Sequence, residues 1–219
     1  MKGLVGAIAA IVLSGAAVYS GGWGVVTVEN VPSYAVAGRP ATFGFSVRAH
    51  GRGLARSETA QVTGRSDSLV VTGQAVESAR HGYSTATIAF PNAGLWTVTV
   101  DVLGGYATTR FPLHIVNQDA NAVPMTAQER GEQLFAAKGC ASCHVKGEWK
   151  FHQQRSHEVG PPLTGRTFEP EMLRRQLLNP GRARGAWMPN LGLSDDEAIS
   201  LVAFLNATGP AVTARAQRD

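Results

Sequence analysis

Two cysteines occur in the 219 residues, and both fall within Cys140-Ala141-Ser142-Cys143-His144. This is the C-x-x-C-H spacing by which a haem is attached: the thiols add to its vinyl groups as thioethers, and the adjacent imidazole becomes an axial ligand of the iron. A group of that size forces the surrounding chain to fold around it. Two other chemistries use such a pair. A redox dithiol opens a helix after a strand in a thioredoxin-like unit, and nothing before Cys140 reads that way. A tetrahedral zinc site would have to recruit His144 and one of His152 or His157, since there is no second cysteine pair.

The length suffices for two domains, each with its own core. The composition, 44% hydrophobic and 16% charged, is that of a globular protein. Its net charge of +4 is scattered rather than blocked, which argues against nucleic acid as a partner. Once both thiols are committed to haem none remains for a disulfide, so the compartment is read from the start of the chain. Met1-Lys2 precedes an apolar small-residue run from Gly3 to Val18, the length of a signal-peptide core and short for a membrane span. Residues 1–20 are therefore expected to be a signal peptide cleaved after Ser20. An uncleaved membrane anchor is the alternative if the run continues to Val26, and a buried helix of a cytosolic fold is a third reading. Either of the first two places the protein outside the cytoplasm, in the periplasm or on the outer face of the cytoplasmic membrane.

Residues 24–116 alternate with a period of two. Phe43, Phe45 and Val47 share one face of a strand; so do Ala86, Ile88 and Phe90, and so do Trp96, Val98, Val100 and Val102. The turn Pro91-Asn92-Ala93-Gly94 between the last two predicts a hairpin. With Phe111, Leu113 and Ile115, Val25 to Glu29, Thr59 to Thr63 and Leu69 to Thr72, about seven strands emerge, as in an all-β immunoglobulin-like sandwich. The segment resembles YtkA-like sandwich domains in Val36-Ala37-Gly38-Arg39-Pro40 before a Thr-Phe strand and in Pro91 to Trp96 before a Val-rich one. His50, His81 and His114 are read as solvated. No cysteine or methionine accompanies them to select copper.

The polar stretch 117–124 reads as a linker, and residues 125–210 as a helical domain. Thr126-Ala127-Gln128-Glu129 is a capping box, Leu134 and Phe135 supply a buried face, and Gly139 stops the helix. A second helix is expected from Pro170 to Leu178, with Met172 in its core. A second capping box, Ser194-Asp195-Asp196-Glu197, opens a terminal helix through Leu205, and the tail 211–219 reads as disordered.

The pattern Gly131-x-x-x-Phe135-x-x-x-Gly139-Cys140-x-x-Cys143-His144 resembles a class I cytochrome c domain. The resemblance implies an all-α fold holding one covalently attached haem c, with the terminal helix crossing the first so that Phe204 meets Gly131. Gly160-Pro161-Pro162-Leu163-Thr164-Gly165 is similar to that family's G-P-x-L-x-G loop. By that likeness the Pro161 carbonyl accepts a hydrogen bond from the second nitrogen of His144, and Leu163 packs on the haem face. Met188-Pro189 is similar to the family's distal Met-Pro, which implies Met188 as the sixth ligand. His152 and His157 compete for that place, and Met125 sits at the domain entrance.

The function implied is one-electron transfer between redox proteins of a respiratory chain, with no catalytic residue beyond the ligands. Lys138, Lys146 and Lys150 lie near the motif and could form a docking face for an acidic partner. A second reading seats the protein, by its sandwich, in a larger membrane oxidase or reductase complex. A third, an open-site haem enzyme or sensor, applies if Met188 does not bind. The charged stretch Lys146 to Glu158, with Trp149 and Phe151, is either a cover over the haem edge or a solvated loop.

Overall fold

A computed structural model describes residues 22–57, 59–67, 69–118, 124–147, 157, 159–183 and 186–207. The leader 1–20, Lys150, His152, the stretch around Trp149 and Phe151, and the tail 211–219 lie outside the described residues. Ten strands form a sandwich: β1 (Gly24–Val28), β2 (Tyr34–Val36), β3 (Pro40–Ala49), β4 (Gly53–Ala55), β5 (Ala60–Ser66), β6 (Leu69–Gln74), β7 (Val76–Glu77), β8 (Tyr83–Ala89), β9 (Gly94–Val102) and β10 (Ala107–Val116). One sheet runs β1-β3-β8-β7, with β4 also on β3, and the other runs β2-β10-β9-β5-β6. All pairs are antiparallel except β2 with β10. This is the immunoglobulin division of strands, in which the first part of the chain is shared between the two sheets.

The anticipated hairpin between the strands at Tyr83 and Trp96 is not formed. β8 pairs with β3 and β7, whereas β9 pairs with β10 and β5, so the turn after Phe90 carries the chain from one sheet to the other. Inward alternation on both sides of a turn is the same whether the turn stays in its sheet or crosses the core. Here it crosses: Phe90 and Trp96 meet edge to face with centroids 5.2 Å apart, and the Trp96 indole N–H donates to the Asn92 carbonyl at 3.0 Å. Their rings join Phe43 and Phe111 in the centre of the core. The three strands the sequence did not reveal, β2, β4 and β7, are two or three residues long, too short to display a period.

Among the described residues three α-helices follow: α1 (Ala127–Ala137), α2 (Pro170–Leu178) and α3 (Asp195–Asn206). Both capping boxes form. Thr126 and Glu129 exchange side-chain bonds with each other's backbone N–H, and Ser194 and Glu197 do the same. α1 and α3 cross at Gly131, where a Cβ would press on Ser200 O and lie 2.6 Å from Phe204 Cβ; only glycine permits that approach. On α2 the buried stripe is Leu173 and Leu177, one turn apart, and Met172 is 50% exposed rather than in the core.

α1 is not amphipathic in its setting. It packs on α3 along one side and on β10 and β1 along the other, so Glu132, Gln133 and Lys138 are buried with its apolar residues. Burial of polar groups demands partners, and the sandwich backbone supplies them. Gln133 Nε2 donates to Pro112 O at 2.9 Å and to Pro32 O at 3.1 Å, Arg130 donates to Val31 O at 2.6 Å, and Thr109 Oγ1 donates to Ala136 O at 2.7 Å. The apolar core is in consequence continuous from the sandwich through α1 to α2 and α3.

Candidate haem site

Gly139, at φ +79°, turns the chain out of α1 in a conformation that only glycine adopts readily. It also touches β1: a Cβ here would strike Val26 O and stand 2.7 Å from Val25 Cγ1. A single 3₁₀ turn, Cys140–Ser142, follows, with Cys143 N–H and His144 N–H both bonded to Cys140 O. A turn this tight brings the two sulfurs and the imidazole to one cleft.

The loop from Val159 to Leu163 comes back beneath the imidazole. Gly160 N–H donates to Cys143 O at 2.9 Å, and a Cβ on Gly160 would lie 2.6 Å from His144 Nδ1 and 2.9 Å from Nε2. The next residue supplies the acceptor: Pro161 O is 2.9 Å from His144 Nδ1. A carbonyl can only accept, so the proton sits on Nδ1 and Nε2 presents its lone pair. A two-stranded ribbon, β11 (Arg182–Ala183) with β12 (Ala186–Trp187), delivers Met188 to the same cleft. Cys140, Cys143, His144, Pro161 and Met188 thus line one cleft, walled elsewhere by Val25, Val159, Pro189 and Leu191. Leu163 is buried in the neighbouring core and is not among the residues lining it.

The donor chemistry fits a haem. The Cys140 thiol is pushed up to about 12, chiefly by burial and then by the neighbouring Cys143 thiol, and burial raises Cys143 as well. These are thiols in apolar surroundings, suited to conversion into neutral thioethers and unsuited to a reactive dithiol, which depends on a lowered pKa. Among the described residues no three His, Cys, Asp or Glu side chains converge on a point that could hold a metal without a further group. The cleft proper holds about 90 Å³, less than the roughly 300 Å³ and upward of a pocket that encloses a cofactor-sized ligand. A macrocycle bound through these residues would be only partly covered by them.

Of the rival ligands, His157 stacks on Trp23 with centroids 4.3 Å apart, its backbone N–H bonded to Ser142 O, and it does not line the cleft. Met125 lies at the entrance to α1 and is also outside it. Lys138 does not belong to a docking face. It is 2% exposed, ion-paired to Glu197 at 2.9 Å and donating to Glu29 O at 2.6 Å, because α1 is enclosed on both sides. Lys146 is partly enclosed too, its Nζ 3.4 Å from Ala207 O and its pKa lowered by burial.

Two features of the site lay beyond sequence reasoning. Val25 of β1 forms part of the wall, and a polar cleft of about 580 Å³ adjoins the first, with Leu191 and Lys138 common to both. It runs between the outer face of β1 and β3 (Thr27, Ser46, Arg48) and the loop after Met188. No local signal announces either, since both depend on residues more than a hundred positions apart.

Residues 126–205, just over a third of the chain, match the family model described as cytochrome c oxidase, cbb3-type, subunit III. The C-terminal region is a class I cytochrome c domain. Such a domain carries out haem-based electron transfer. No curated protein matches the chain. Among solved structures, the ZirS C-terminal domain aligns at 12% identity over 53% of this chain and 84% of its own, with a TM-score of 0.33. A CARDB domain from Pyrococcus furiosus, in complex with di-metal ions, aligns at 10% over 44% and 88%, with a TM-score of 0.25. Among the described residues no helix of the cytochrome c domain or of the sandwich is long and apolar enough to cross a membrane.

Proposed function

We propose that the chain is an exported monohaem c-type cytochrome that passes single electrons between redox proteins of a respiratory chain. Cys140 and Cys143 would hold the haem as thioethers, and His144 and Met188 are the residues that would bind its iron. The bound group supplies a ferric/ferrous couple. The chain sets the conditions for it. Pro161 O fixes the His144 tautomer and makes the imidazole a better electron donor, while the Met188 thioether, a soft ligand, favours the reduced state. With His144 and Met188 both committed to the iron, small molecules would be kept from it, in line with a carrier rather than an oxidase or peroxidase site. The matching family's name points to an oxidase complex as the setting, with other redox proteins as partners.

The observation that carries this reading is the 2.9 Å His144 Nδ1 to Pro161 O hydrogen bond beside two thiols and Met188 in one cleft. Intact mass and denaturing-gel haem staining of protein matured with a haem-attachment system test it. One haem per chain is expected, retained on denaturation and lost in Cys140→Ser/Cys143→Ser. Haem that is extracted by acid solvent from the unaltered chain would overturn covalent attachment.

A further inference from the structure

The outer face of β1 and β3 is the part of the sandwich that meets the cytochrome c domain. Val26 and Val28 point into the sandwich, so Val25, Thr27 and Glu29 point out, and on β3 the outward residues beside them are Ser46 and Arg48. Val25 pairs with Arg48 and Thr27 with Ser46 in the ladder. Of these five, Val25 lines the cleft with the two cysteines and Met188, and the other four line the adjoining polar cleft.

β1 and β3 touch both sides of the haem site. On the cysteine side, Gly139 rests on Val26 O, and Glu29 O accepts from the buried Lys138 one residue before it. On the methionine side the contact is Arg48, whose Nη2 donates to Asn190 O at 3.3 Å, two residues after Met188. Its other terminal guanidinium nitrogen, Nη1, reaches Thr27 Oγ1 and Ser46 Oγ, each at 3.3 Å. The guanidinium is thus anchored to the sheet through one nitrogen and reaches the Met188 loop with the other, a division suited to its planar fork. The loop needs such support. β12, which delivers Met188, is two residues long, and Gly192, at φ +64°, follows closely behind.

We infer that Arg48 is a positioning residue for the sixth iron ligand: the sandwich, through Arg48 on the Asn190 carbonyl, holds the Met188 loop closed over the haem. The sandwich is then half of the haem site and not an appended module. The inference rests on Met188 being that ligand. Without Arg48 the loop opens more often, and an external ligand competes more successfully for the iron.

The experiment is imidazole binding to the ferric full-length holoprotein, followed by the Soret shift and by loss of the near-infrared sulfur-to-iron band. Arg48→Gln should tighten the apparent imidazole affinity at least tenfold. Arg48→Lys, with a single donor nitrogen and the same charge, should recover part of the difference. Ser46→Ala removes a sheet anchor but not the Asn190 contact, so it should leave the affinity within twofold, and far-UV circular dichroism guards against misfolding. Equal imidazole affinities for Arg48→Gln and the unaltered protein would overturn the inference, as would an equal tenfold change in Ser46→Ala. A sulfur-to-iron band that survives in Met188→Ala would instead overturn the ligand assignment on which it rests.

Discussion

Substituting Gly131 by alanine tests the helix crossing on which the cytochrome c domain depends. The new Cβ would lie 2.6 Å from Phe204 Cβ and closer still to Ser200 O, where ordinary contact begins at 3.4 Å. α3 must therefore withdraw by more than 1 Å, because a backbone carbonyl cannot rotate aside as a flexible side chain can. A radial gap of about 0.5–1 Å forfeits roughly a quarter to a half of each dispersion contact. The contacts at stake include those of Ala198, Leu201, Phe204 and Leu205, all buried against α1 or its neighbours. Overpacking of this kind costs about 1–3 kcal/mol, occasionally more, and backbone obstruction places it at the upper end. Alanine returns about 1 kcal/mol in helix propensity, leaving a net loss of about 2 kcal/mol. With a urea slope of about 1–3 kcal/mol/M, the midpoint of unfolding should fall by roughly 1–2 M. Urea titration of the holoprotein by circular dichroism and Soret absorbance measures it. A Gly131→Ala protein at least as stable as the original would show that propensity alone acts at this position and that the two helices do not touch there.

Three further outcomes are expected. Gly160→Ala places a Cβ 2.6 Å from His144 Nδ1, so the imidazole must tilt away from Pro161 O; the yield of attached haem should fall several-fold in a pyridine haemochrome assay, while Gly53→Ala, with no atom within 4 Å of its Cβ site, should leave it unchanged. Lys138→Met leaves Glu197 partly buried without its ion pair and should cost about 2–3 kcal/mol, below the full figure for a buried pair because Glu197 keeps some solvent, with part of the loss restored in Lys138→Met/Glu197→Gln. In the haem-free chain burial pushes the folded Cys140 thiol from its reference value of 9.0 up to about 12; the folded state therefore keeps a proton that the unfolded one has lost, and stability should fall as pH rises through that window. The thioether form has no such proton, so denaturation curves at pH 9 and pH 11 should diverge more for the haem-free chain than for the holoprotein.

The parts of this molecule legible from sequence are those decided within a few residues. Both capping boxes, the glycine stop before Cys140 and the inward faces of the longer strands each depend on local spacing, and each forms. The errors have a common physical origin in long-range contact. The turn after Phe90 looked like a hairpin because period two does not say whether a turn stays in its sheet. Lys138 looked like a surface charge because its neighbours do not reveal that β1 covers it, 109 positions away from Glu29. Met172 looked apolar enough for the core, but α2 buries only the stripe through Leu173 and Leu177. The contact between the sandwich and the loop after Met188 was illegible for the same reason: Arg48 and Asn190 are 142 positions apart.

Near-infrared absorption of the ferric holoprotein decides whether His144 and Met188 bind one iron. A weak sulfur-to-iron band is expected that disappears in Met188→Ala and persists in Met172→Leu and Met125→Leu. A spectrum with two imidazoles bound, or a high-spin one, in the unaltered protein would contradict it.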